Sequence, residues 1–166
     1  SSKILVIGAG GIGGVTAGLL AKAGYDVELI CKYPKVAKKV MDEGLEVLGA
    51  KGNFKVKMPA KATVPELTEK KDIVLLATKA TDMIEPTKQV LPFLHEESKL
   101  VSLQNGLCEE ALAEIVGTGR VVGCVVGWGA TLLEPAKLEM TSTGEFVIGT
   151  LENKPTDRPM LNQLQK

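Results

Sequence analysis

Aromatic residues are scarce in this chain. Phe, Tyr and Trp together supply 4% of 166 residues against 45% hydrophobic overall, so the interior must be built from Val, Ile, Leu and Ala. Histidine occurs once, as His95, and the three cysteines, Cys31, Cys108 and Cys124, are odd in number and widely spaced. That leaves no His/Cys cluster with metal-ligand spacing, so no metal site is expected. The cysteines read as reduced thiols of a cytosolic protein rather than a disulfide framework. Net charge is absent too, because twenty basic residues balance twenty acidic ones. The main electrostatic argument for a nucleic-acid or membrane-surface partner is thereby removed. There is no internal repeat and no low-complexity tract.

One stretch does lack charge entirely. Ile4 to Ala21 runs eighteen residues without a charged side chain, and Gly10, Gly14 and Gly18 fit the Gly-xxx-Gly face of a membrane helix. Against that reading, Gly8, Gly10, Gly11, Gly13 and Gly14 would weaken any helix laid across them. The same glycines break the apolar core a secretory signal needs, and neither a basic region nor a small-residue cleavage site frames it. No membrane partner is expected.

The order within this stretch is more informative than its hydropathy. Ile4-Leu5-Val6-Ile7 empties into Gly8-Ala9-Gly10-Gly11-Ile12-Gly13, and Val15 to Ala23 has helical character. Strand, Gly-x-Gly-x-x-Gly turn and helix is the sequence a dinucleotide phosphate site requires. Gly8 permits the tight turn, Gly10 lets the backbone approach a pyrophosphate, and Gly13 lets the helix lie against the strand. The helix start then offers unpaired N–H groups and a partial positive charge.

The rest of the pattern alternates strand and helix. Strands are predicted over Lys3–Ile7, Asp26–Cys31, Asp72–Ala77, Lys99–Leu103 and Arg120–Ala130. Helices are predicted over Ile12–Ala23 (ended by Gly24), Pro34–Asp42, Thr81–Leu91 and Glu109–Val116, with Pro86 expected to distort or split the third. Leu45–Leu48 and Phe54–Met58 flank Lys51-Gly52-Asn53 as an inserted hairpin. Leu138–Thr141 and Glu145–Ile148 read as an antiparallel pair turning at Thr143-Gly144. Such alternation implies an α/β fold, a Rossmann-type doubly wound, mainly parallel sheet with an antiparallel extension near the C-terminus. Residues 1–151 form the predicted dinucleotide-binding domain. Residues 152–166 begin with the polar, proline-rich Glu152–Pro159 and read as a linker and the start of a further domain.

In such folds ligands gather outside the carboxyl ends of the strands. At the second strand the usual NAD-selecting Asp or Glu is missing, since the corner reads Leu29-Ile30-Cys31-Lys32. Lys32 would attract a 2′-phosphate that a carboxylate would repel, which favours NADP (as NADPH) over NAD. Lys35, Lys38 and Lys39 are read as a solvated helix face. Lys79 follows a buried strand and is placed to meet cofactor or substrate, or else is an ordinary surface lysine. Asn105, in Gln104-Asn105-Gly106, is either a carboxamide-orienting group or an Asn-Gly turn.

Taken in order, these pieces resemble the ketopantoate reductases (2-dehydropantoate 2-reductases). The resemblance runs from Lys3 to about Gly149. It comprises Gly8–Gly13, Lys32, Lys79 within Ala77-Thr78-Lys79-Ala80, Asn105, and a late Gly129-Ala130…Gly144…Ile148-Gly149 segment. It implies NADPH-dependent reduction of a small 2-keto acid, ketopantoate, on the path to coenzyme A. It also implies a glycine loop on the pyrophosphate, Lys32 on the 2′-phosphate and Lys79 beside cofactor and active site. Asn105 would touch nicotinamide and substrate, and Ala130 would border the nicotinamide. The family's proton-donating lysine belongs to a second, helical domain, expected beyond Lys166. The 166-residue chain is therefore expected to bind NADP(H) with little or no reductase activity. An apolar face left by that domain would favour self-association, a homodimer being its simplest form. The other reading is a stand-alone NAD(P)-sensing regulatory domain, which needs the glycine loop and ribose corner but neither Lys79 nor Asn105.

Overall fold

Adjacent residues of the first strand lie in different cores. In β1 (Lys3–Ile7), Ile4 and Val6 join one buried cluster while Leu5 and Ile7 join another. A strand apolar on both faces must be covered on both faces, and the computed structural model shows this. It describes residues 2–79, 82–103, 108–144 and 146–150.

After β1 the chain forms α1 (Gly11–Lys22), β2 (Asp26–Ile30), α2 (Pro34–Asp42), β3 (Leu45–Gly49), β4 (Phe54–Val56), β5 (Ala60–Lys61) and β6 (Lys71–Leu76). It continues through α3 (Ile84–Val90), β7 (Leu94–Ser102), α4 (Cys108–Val116), β8 (Val121–Val126), β9 (Ala130–Glu134), β10 (Lys137–Met140) and β11 (Phe146–Thr150). The main sheet has the order β11-β8-β7-β6-β1-β2-β5. All its neighbours run parallel except β11, which lies antiparallel beside β8. Successive strands depart in opposite directions from β1, so the chain reverses its winding beside that strand.

On one face α3 and α4 bury Val90, Leu112 and Val116 against Leu5, Ile7, Val74, Leu76 and Leu100. On the other, Val15, Ala17 and Leu20 of α1 and Ala37 and Val40 of α2 meet Ile4, Val6, Val27 and Leu29. A second sheet, β4-β3-β10-β9, packs on α1 from its outer side. Gly14 and Gly18 make that approach possible, because a methyl group on either would press on Leu138 or Val47 at under 3 Å. The Gly-xxx-Gly stripe is thus a helix–sheet contact, and no helix among the described residues is long and apolar enough to cross a membrane.

Local signals placed several boundaries well. α1 ends with Gly24 at φ +95, where Tyr25 N–H reaches the Leu20 carbonyl (3.1 Å) and Gly24 N–H that of Ala21 (3.1 Å). Pro34 opens α2 as its first residue. The hairpin of β3 and β4 is present, with Leu45 opposite Val56.

Three expectations need correction. Pro86 does not split its helix, because α3 starts at Ile84 and the proline sits in a first turn that needs no N–H from it. The strand expected over Arg120–Ala130 ends at Val126, and Ala130 starts β9. The two late strands do not pair with each other: β10 lies between β3 and β9, while β11 pairs with β8. Leu138 and Met140 of β10 face inward on the helix side, so β10 belongs to the second sheet. The expected linker over 152–166 lies outside the described residues.

Candidate functional site

The reversal of winding beside β1 puts the glycine loop at the carboxyl edge of the sheet, between the ends of β2 and β6. Gly8 N–H donates to the Ile30 carbonyl at the end of β2 (3.0 Å), and Ala77 N–H donates to the Ile7 carbonyl (2.9 Å). Gly8 has φ +115, and a Cβ there would lie 3.1 Å from the Ala77 carbonyl carbon. Gly13 abuts the Gly8 carbonyl and the Ala77 methyl so closely that no side chain fits. Gly11 is similarly closed by the backbone of Ala130, whose oxygen would be 2.7 Å from an added Cβ.

Gly10 is different. Its φ of −78 suits any residue, and a Cβ would meet nothing within 4 Å. Neither conformation nor packing against the described residues requires glycine there. Gly10 is also the N-cap of α1, with no side-chain cap and no acidic residue in the first turn. The helix start therefore offers its partial positive charge and its first N–H groups to an outside anion. The helix start at Gly11, Ile12 and Gly13 suits an anion such as a diphosphate, whereas the Gly8 N–H is already committed to the Ile30 carbonyl.

At the end of β2, Lys32 is exposed and has φ +74, one of two non-glycine residues at positive φ among the described residues. Two consecutive amides hold this corner: Cys31 N–H donates to the Lys61 carbonyl (2.8 Å) and Lys32 N–H to that of Ala62 (3.0 Å). The Lys32 Nζ lies 5.5 Å from the centre of the Tyr33 ring. The acids of β2 are placed elsewhere. Asp26 is exposed at the far end, and Glu28 lies within the sheet face, bound by Lys71 (2.8 Å) and Lys61 (3.0 Å). Burial pushes the Glu28 carboxyl up, but hydrogen bonds from Lys71 and Lys61 outweigh it and hold it below its ordinary value.

At the end of β6, Ala77 packs on Gly8 and Gly13, and exposed Lys79 follows two residues later in a turn closed by Asp82 N–H on the Lys79 carbonyl (2.8 Å). The structure thus gathers Gly8–Gly13, Lys32, Lys79 and Ala130 around one edge. Asn105 lies outside the described residues. Sequence reasoning missed Tyr33, which is 58% exposed beside Lys32, and the two-residue β5 that pins the corner. A lone tyrosine before a helix carries no distinguishing pattern, and two residues are too few to show alternation.

Other reactive groups among the described residues are committed to structure. His95 Nε2 lies 2.5 Å from Asp72 Oδ1, and its Nδ1 accepts the Glu97 N–H (3.1 Å). The tautomer is therefore set, with the ring proton on Nε2. Ser98 is nearby, but its hydroxyl donates to the Lys71 carbonyl (2.7 Å) and cannot serve that histidine as a nucleophile. Burial pushes the Cys31 and Cys124 thiols up to about 12, which keeps them protonated and inert.

Sheet order, switch point and glycine loop define a Rossmann-type α/β domain. The chain belongs to the family described as ketopantoate reductase PanE/ApbA, which it matches over residues 4–153. It is 37% identical over 147 residues to a 2-dehydropantoate 2-reductase of Pyrococcus abyssi, a match covering 89% of this chain and 47% of the relative. Its fold superposes on the crystal structure of 2-dehydropantoate 2-reductase from Geobacter metallireducens with a TM-score of 0.86 at 26% identity, covering 98% of this chain and 54% of that one. A D-mandelate dehydrogenase solved with NADH and anilino(oxo)acetate shares the fold at 20% identity (TM-score 0.82), over 98% of this chain and 52% of that one. The chain spans about half the length of the relatives it matches.

Proposed function

We propose that this chain is the cofactor-binding half of a 2-dehydropantoate 2-reductase, a cytoplasmic enzyme reducing ketopantoate to pantoate with NADPH. The observation that carries this reading is the open Gly10 at an uncapped helix start, set at the switch point of a sheet that matches the reductase family. In this reading residues 8–13 hold the pyrophosphate, and Lys32 binds the 2′-phosphate. Lys79 and Asn105 serve nicotinamide and substrate, and Ala130 borders the nicotinamide. When bound, the nicotinamide supplies the hydride. The carbonyl oxygen then needs a proton, and the lysine that gives it in this family belongs to a second, helical half reached through residues 152–166. Residues 1–151 thus act as the dinucleotide domain.

Titration with NADPH and NADH, followed by nicotinamide fluorescence, tests the reading. NADPH should bind more tightly than NADH, and the chain alone should turn over ketopantoate slowly or not at all. Failure to bind either dinucleotide would remove the proposal.

A further inference from the structure

We infer that Tyr33 is a positioning residue for NADPH selection: its ring holds the ammonium of Lys32 at the end of β2. The inference deepens the reading of Lys32 as the 2′-phosphate contact and rests on it. Three observations carry it. First, Lys32 keeps a left-handed backbone, which ordinary side chains rarely adopt, with φ +74. A non-glycine residue in that region carries strain, and such strain persists only where surrounding structure enforces it. The enforcing contacts are the amide bonds of Cys31 and Lys32 to the carbonyls of Lys61 and Ala62. Second, this backbone brings the Lys32 Nζ to 5.5 Å from the centre of the next residue's ring, within the range of a cation–π attraction. Third, Tyr33 is 58% exposed, so burying apolar area does not explain its place. The Gly8 N–H on the Ile30 carbonyl ties the whole corner to the phosphate loop.

The physical consequence concerns entropy. A free lysine side chain loses rotamer freedom when it fixes on a phosphate. An ammonium already held over a ring has lost part of that freedom beforehand. The gain applies only to a ligand carrying the 2′-phosphate, so Tyr33 acts on the preference between NADPH and NADH and not on dinucleotide affinity in general.

The test uses Tyr33→Leu, Tyr33→Phe and Lys32→Gly in the full chain, each titrated with NADPH and NADH and checked by thermal midpoint. Tyr33→Leu should weaken NADPH about two- to five-fold and leave NADH unchanged, while Tyr33→Phe, which keeps the ring, should retain the original ratio. Lys32→Gly should lower the preference for NADPH, and adding Tyr33→Leu to it should then change nothing further. Equal loss of both dinucleotides in Tyr33→Leu, or no loss of either, overturns the positioning role while leaving Lys32 as the phosphate contact. An unchanged ratio in Lys32→Gly overturns both.

Discussion

A methyl group added to Gly13 would run into the Gly8 carbonyl and the Ala77 side chain, whereas the same group on Gly10 would meet no atom within 4 Å. One glycine is required by the fold and the other is free of it. Gly13→Ala should therefore lower unfolding free energy by about 1–3 kcal/mol, as overpacking does. Gly10→Ala should change stability by less than about 1 kcal/mol, the range of an N-cap exchange, yet weaken dinucleotide binding. Denaturant melts and NADPH titration on the two variants separate these effects. Equal stability losses would mean that Gly10 also answers to packing. Lys32→Glu replaces an attracting ammonium with a repelling carboxylate. NADPH affinity should fall by roughly 1–3 kcal/mol with NADH little affected, measured by the same titration. An equal fall for both would take the 2′-phosphate away from Lys32.

Helix α1 shows how an element's surroundings decide its residue choices. It lies between the main sheet and the second sheet, so it is small and apolar nearly all round, with Gly13, Gly14, Val15, Ala17 and Gly18 buried. Thr16 is also buried, and its hydroxyl finds no hydrogen-bond partner among the described residues. Thr16→Val keeps the shape and removes the unpaired group, so stability should rise by about 1–2 kcal/mol, seen as a higher thermal midpoint. A drop would show that the hydroxyl is satisfied after all. The sequence made α1 legible from its glycines and its Gly24 stop, and β1 from a continuous apolar run. It did not reveal β5, which is two residues long, nor the partners of β10 and β11. β10 (Lys-Leu-Glu-Met) alternates and β11 (Phe-Val-Ile-Gly-Thr) opens with three apolar residues, but neither pattern names a neighbour, because each pairing is non-local and local turn chemistry cannot report it.

Across the whole molecule, ion pairs and hydrogen bonds of polar side chains link several strands. Lys61 and Lys71 hold Glu28, Lys71 and Lys3 hold Glu69, and the Lys3 amide and His95 hold Asp72. Lys71 is only 1% exposed, so its partner cannot be removed cheaply. Glu28→Gln should cost about 1–3 kcal/mol near neutral pH, because Lys71 keeps only the longer contact to Glu69 and a neutral amide. The pH dependence has a definite sign. Glu28 titrates below its ordinary value of 4.5 in the folded protein. Its contribution is therefore complete above that value and fades as pH falls through the lowered one. The stability gap between wild type and Glu28→Gln should narrow in acid, as denaturant melts at a series of pH values would show. A gap that stayed constant would mean Glu28 gains nothing from its lysines.

By itself the sequence determined the strand–glycine–helix unit, the αβ alternation, the absence of an acid at the second strand's end and the resemblance to ketopantoate reductases. These depend on nearest-neighbour chemistry: apolar period, conformational freedom at glycine, and charge. Only the tertiary structure decided that Gly14 and Gly18 seat a second sheet, that Gly11 meets Ala130, that Glu28 is bound by two lysines, and that the Lys61 and Ala62 carbonyls hold the corner where Lys32 is left-handed beside Tyr33. Each of these joins residues distant in the chain or a backbone angle no side-chain pattern encodes, so it comes into being only when the layers close.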